Sequence, residues 1–172
     1  MKAILSTLAA GALLAGCATF GEAPGPRAVA NLASTKGNSA SGTVTFEQRG
    51  GKVRVSGTVT GLKPNAEHGF HVHEKGDCSS GDGMSAGGHF NPEGKPHGPQ
   101  TAPHHAGDMP SLKADAGGRA KATFVLEGVT VSPGPTSVVG RGLIVHKDPD
   151  DYRTQPTGNA GARLACAVIR AS

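Results

Sequence analysis

Ser41-Gly-Thr-Val-Thr-Phe-Glu-Gln-Arg-Gly-Gly-Lys-Val-Arg-Val-Ser-Gly-Thr-Val-Thr60 is the stretch that decides the fold. On both sides of Gly50-Gly51, β-branched and apolar residues alternate with polar ones, so the sequence predicts two strands joined by a tight glycine turn. Downstream, Glu67 to His73 reads as a third strand after a turn over Gly61 to Asn65. Arg119 to Leu126, Ser137 to Lys147 and Arg163 to Ile169 are further strand candidates. Between them lie two long polar segments, Glu74 to Asp115 and Lys147 to Ala162. Loops of that length in a compact domain need something to pin them. No helical periodicity, heptad or repeat emerges, and 27 glycines and 12 prolines in 172 residues favour short strands joined by turns. The predicted class is all-β, a sandwich or flattened barrel carrying two functional loops.

Composition narrows the function. The formal charge of +4 is mild, no run of Lys and Arg is present, and aromatic residues make up 3% of the chain. A nucleic-acid partner is therefore not expected; the mild excess reads as a soluble basic surface, with attraction of a small anion as the alternative. Upstream of the domain, Met1-Lys2 opens a basic start and Ala3 to Leu14 is apolar over signal-peptide length, too short to span a bilayer. It ends in Leu14-Ala15-Gly16-Cys17, which resembles a bacterial lipobox. The reading is a signal peptide over 1–16, lipidation at Cys17, a flexible tether over 17–40 and the domain over 41–172. It places the protein on the periplasmic side of a bacterial cell envelope, held to a membrane through Cys17. An ordinary secretory signal is the alternative. Two cysteines then remain, Cys78 and Cys166. In an exported chain they favour a disulfide over two independent thiols, and closing so long a loop is worth roughly 4–5 kcal/mol in the chain-entropy model.

The chemistry resides in histidines. Residues two apart on a strand share a face, so His71 and His73 can bind one ion together, and His146 closes the strand Gly142-Leu-Ile-Val-His146. Imidazoles grouped in this way suit copper, zinc or iron; solvent-facing histidines are the alternative. His89, His97, His105 and Asp108 lie in the long loop and form a complete tetrahedral set for zinc, against the alternative of scattered loop histidines.

At these residues a resemblance emerges. His68-Gly-Phe-His-Val-His73, Gly76-Asp-Cys78, Gly87-Gly-His-Phe-Asn-Pro92, His105-Ala-Gly-Asp108, Gly140-Arg-Gly-Leu-Ile-Val-His146 and Gly158-Asn-Ala-Gly-Ala-Arg-Leu-Ala-Cys166 resemble the bacterial, exported copper/zinc superoxide dismutases. The resemblance implies a Greek-key, immunoglobulin-like sandwich or flattened barrel. It also implies dismutation of superoxide to dioxygen and hydrogen peroxide, protecting the envelope, with one copper and one zinc ion per subunit. Copper would lie on His71, His73, His89 and His146, and zinc on His89, His97, His105 and Asp108. His89 would bridge the two ions and deliver a proton, and Arg163 would attract and orient the anion. Asp150 would link His71 to His97, a Cys78–Cys166 disulfide would tie loop to strand, and His68 would be structural. His104 is set aside as a solvated loop residue. A metal carrier is the main rival, and it would need no anion-guiding arginine. The subunit state is compatible with a monomer or a homodimer.

Overall fold

A computed structural model describes residues 25–172. The expected signal peptide, the expected lipidation site at Cys17 and the first part of the expected tether lie outside the described residues. The chain forms β1 (Arg27–Ser34), β2 (Ser41–Arg49), β3 (Lys52–Thr60), β4 (Glu67–His68), β5 (Phe70–His73), β6 (Leu112–Lys113), β7 (Ala120–Leu126), β8 (Gly142–His146), β9 (Arg163–Val168) and β10 (Arg170–Ala171). Among the described residues, the one helical element is a single 3-10 turn, Met84–Ala86. The all-β class holds, as a curled antiparallel sheet of Greek-key barrel type.

The founding hairpin is β2–β3. Its register runs from Ser41↔Thr60 to Arg49↔Lys52, leaving Gly50-Gly51 as a two-residue turn in which Gly50 takes φ 55°. Val44, Phe46, Val53 and Val55 all face inward and are fully buried. At roughly 1.5–3 kcal/mol for each large apolar side chain removed from water, that alternation determines which face points in. Around the hairpin the sheet runs β5-β8-β9-β1-β2-β3-β7, with β10 also on β1 and a separate β4–β6 pair.

The tether expectation needs correcting. Residues 27–34 form β1, which pairs with β2, β9 and β10 and so joins the hairpin half of the sheet to the metal-bearing half. Ala28, Ala30 and Leu32 alternate inward and are buried. Two of those three positions are alanines, too small to register as an apolar pattern, and Pro24 and Pro26 stand just before them. The third predicted strand is also split: Gly69 separates β4, which pairs with β6, from β5, which pairs with β8. Of the span predicted over Ser137 to Lys147, only Gly142–His146 is strand.

Candidate metal centre

The site is assembled on β5, on the end of β8, and on the two loops between them in space. His71 and His73 occupy alternate positions of β5, which pairs antiparallel with β8 through His71↔Ile144 and His73↔Gly142. His146 ends β8 at a register irregularity with β9. The polar segment after β5 is pinned by its own backbone to that strand. Val72 N–H donates to Gly107 O, Phe90 N–H to Val72 O and Gly107 N–H to Phe90 O, at 2.8–2.9 Å. These bonds carry His89 beside His73 and Asp108 beside His71. The Cys78–Cys166 disulfide fixes the near end of the same segment to β9, with Cα atoms 5.9 Å apart.

Two groups of donor atoms result, His71, His73, His89 and His146 in one and His89, His97, His105 and Asp108 in the other, each with ligand atoms within 4.8 Å of one another. All of these side chains are buried. Their hydrogen bonds assign the tautomers. His73 Nδ1–H donates to Gly87 O at 2.9 Å and His146 Nδ1–H to Gly161 O at 3.2 Å. Both Nε2 atoms are therefore bare, and they face each other at 3.3 Å. Two lone pairs at that distance repel unless a cation lies between them. His71 donates Nε2–H to Asp150 Oδ2 at 2.7 Å, which leaves its Nδ1 bare, buried and without a partner. His89 Nε2 is likewise buried and unpaired.

The second group converges on Asp108. Its Oδ1 lies 2.7 Å from His89 Nδ1, 3.0 Å from His97 Nδ1 and 3.4 Å from His105 Nδ1. The His97 and His105 nitrogens make no hydrogen bond despite that proximity. A tetrahedral zinc with bonds near 2 Å has ligand-to-ligand edges of about 3.3 Å. The 3.0 and 3.4 Å separations lie close to that, and the 2.7 Å His89 hydrogen bond would lengthen when an ion replaced its proton. His89 contributes one ring nitrogen to each group.

Charge supports this arrangement. Burial opposes ionisation of Asp108, but the hydrogen bond from His89 and the adjacent His97 imidazole outweigh it and hold the carboxyl well below its usual range. Asp150 is depressed in the same way by His71 and His97. Burial, helped by neighbouring imidazoles, lowers His71 to about 4 and pushes His73 and His146 well down, leaving them neutral as ligation requires. In His97 burial also pulls downward, yet the two carboxylates prevail and raise it to about 9.

The remaining sequence-predicted residues take definite places. Asp150 spans both groups, bonding His71 with one oxygen and His97 Nε2 with the other at 2.9 Å. Arg163 is half-buried, its guanidinium donating to Gly83 O and Gly87 O at 2.6 Å each. Gly87 O is also the acceptor for His73, so one carbonyl aligns the arginine with a ring of the first group. His68 Nδ1 donates to His146 O at 2.8 Å, supporting the strand end, and His104 bonds only its own loop, at Ala102 O. The carbonyls of Gly87 and Gly161 were missed from the sequence, because backbone acceptors leave no residue-type signal. Tyr152 was missed as well: its N–H donates to Asp150 Oδ1 and its hydroxyl accepts from Ser111 N–H.

Comparison with known proteins agrees with this geometry. Residues 40–169 match the family model described as copper/zinc superoxide dismutase. A copper/zinc superoxide dismutase of Brassica juncea is 46% identical over 151 residues, covering 83% of this chain and 96% of the relative. One from Paramecium bursaria Chlorella virus 1 is 44% identical over 135 residues, covering 74% of this chain and 71% of the relative. A crystal structure of the clock protein EA4 superposes with a TM-score of 0.77 at 41% identity, covering 84% of this chain and 93% of that one.

Proposed function

We infer the reaction from kinship and site together: this chain belongs to the copper/zinc superoxide dismutase family, and two superoxide anions with two protons become dioxygen and hydrogen peroxide in its pocket. The observation that carries this reading is the placement of one ring, His89, in both donor groups. His71, His73, His89 and His146 would hold copper, and His89, His97, His105 and Asp108 would hold zinc. Bound copper supplies a one-electron couple and bound zinc a fixed positive charge.

The protein supplies the rest. Arg163 presents a guanidinium beside His73 and His146 and draws the anion inward, its orientation set by two backbone carbonyls. His89 Nε2 takes up a proton in the half-reaction that releases dioxygen and gives it to the reduced substrate in the half-reaction that forms hydrogen peroxide; water provides the second proton. Asp150 fixes the ring planes of His71 and His97, so neither donor group can rotate independently of the other. Measuring bound metals together with superoxide consumption tests the reading. Protein holding both metals is expected to turn over superoxide, with His146→Ala losing that activity. Full loading of both sites with no turnover would indicate a metal carrier instead.

We further propose that the enzyme is an exported bacterial lipoprotein acting on extracytoplasmic superoxide. Support comes from the basic start at Lys2, the apolar run Ala3 to Leu14, and the Leu14-Ala15-Gly16-Cys17 sequence that closes it. A disulfide between Cys78 and Cys166 suits an oxidising compartment. Expression in a Gram-negative host with labelled palmitate would mark the wild-type chain. Failure to label it, or equal labelling of Cys17→Ser, would overturn this assignment.

A further inference from the structure

His97 lies in a stretch without helix or strand, and its own N–H and C=O find no backbone partner among the described residues. Both are taken instead by one side chain from the opposite loop. Gln155 Oε1 accepts from His97 N–H at 2.8 Å, and Gln155 Nε2 donates to His97 O at 2.9 Å. The primary amide thus does for one residue what a neighbouring strand does in a β-ladder. A planar amide offers a donor and an acceptor side by side; a carboxylate offers acceptors alone, and an alkyl chain neither. The same loop also holds the His97 ring through Asp150. His97 is therefore gripped at its backbone and its ring by residues five positions apart, while its Nδ1 points to Asp108. Gln155 itself is exposed and contributes nothing to the apolar core.

We propose that Gln155 is a positioning residue for the zinc site, holding the His97 backbone so that Nδ1 stays directed at the ion. This rests on the zinc reading of His89, His97, His105 and Asp108. Outer contacts of this kind typically change metal affinity by about 10–100-fold. The grip also couples the two loops: the 147–162 segment cannot lift away without releasing a zinc ligand.

The test is chelator competition for zinc on the mature protein, with Gln155→Ala and Gln155→Glu beside the wild type. It is accompanied by the visible spectrum of Co(II) in the zinc site and by the melting temperature of the metal-free protein. Gln155→Ala is expected to weaken zinc binding about tenfold and to alter the Co(II) bands. Gln155→Glu, which keeps side-chain volume and the Oε1 acceptor, should fall between and guards against a folding failure in the first variant. The metal-free melting temperature should stay within about 2 °C, since an exposed amide carries little packing. Zinc affinities within about twofold of wild type in both variants would overturn the proposal. So would a metal-free melting temperature that falls in step with affinity, because the role would then be purely structural. Wild-type protein that takes up no zinc would overturn the metal reading beneath it.

Discussion

Asp150 can reach both His71 and His97 because Gly158 leaves room for its carboxylate. Gly158 has φ +65°, and a Cβ there would collide with Asp150 Oδ1 and come within 2.5 Å of His97 Nε2. A side chain at that position also incurs about 1–3 kcal/mol of backbone strain. Gly158→Ala is therefore expected to displace Asp150, weakening zinc and copper binding by about tenfold or more. Isothermal titration with each metal checks this; unchanged affinities would mean that the carboxylate bridge tolerates displacement. At this scale the sequence revealed most of the chemistry. The spacing His-x-His, the loop histidines and the resemblance named every side chain in the two donor groups. The acceptors that fix their tautomers, Gly87 O and Gly161 O, were invisible because every residue carries a carbonyl and only the fold aims it.

Strand β1 shows where element reading fails. The hairpin β2–β3 was evident because Val and Phe alternate with Thr and Ser, large against polar. In β1 the inward positions are Ala28, Ala30 and Leu32, and alanine gives little contrast with its neighbours. Yet β1 bonds to strands from both halves of the sheet, and Ala33 and Ser34 sit opposite Cys166 and Ala165. The two readings predict different outcomes for a truncation that removes residues through Ser34. A tether could be removed without effect on the domain. A central strand cannot: the edges of β2 and β9 would be bared, and the cooperative thermal transition is expected to disappear. Differential scanning calorimetry separates the two, and a melting temperature equal to that of the intact chain would contradict the strand assignment.

For the whole molecule, burying so many titratable groups makes the metal-free protein sensitive to pH in a definite direction. His71, lowered to about 4, and His73 and His146, also lowered, refuse protons that the unfolded chain accepts near pH 6.5. Stability is therefore lost as pH falls from about 6.5 toward 4. The depressed carboxyls of Asp108 and Asp150 add to that loss at lower pH. His97 acts oppositely: raised to about 9, it contributes stability below pH 6.5 that fades as pH rises through 9. The metal-free melting temperature should peak near neutrality, with the steeper fall on the acid side. Metal binding replaces the His97 proton, so the loaded protein should lose the alkaline decline while keeping acid sensitivity. A metal-free melting temperature that stays flat between pH 4 and 7 would contradict this balance.

His89 is the one ring that belongs to both donor groups and would serve two ions. Electron paramagnetic resonance of protein carrying Cu(II) in both sites measures that sharing directly. A bridging imidazolate couples the two unpaired spins, so the signal of isolated Cu(II) should largely vanish on cooling and return when the second site is refilled with zinc. Two independent Cu(II) signals, adding in full at low temperature, would contradict the shared ring.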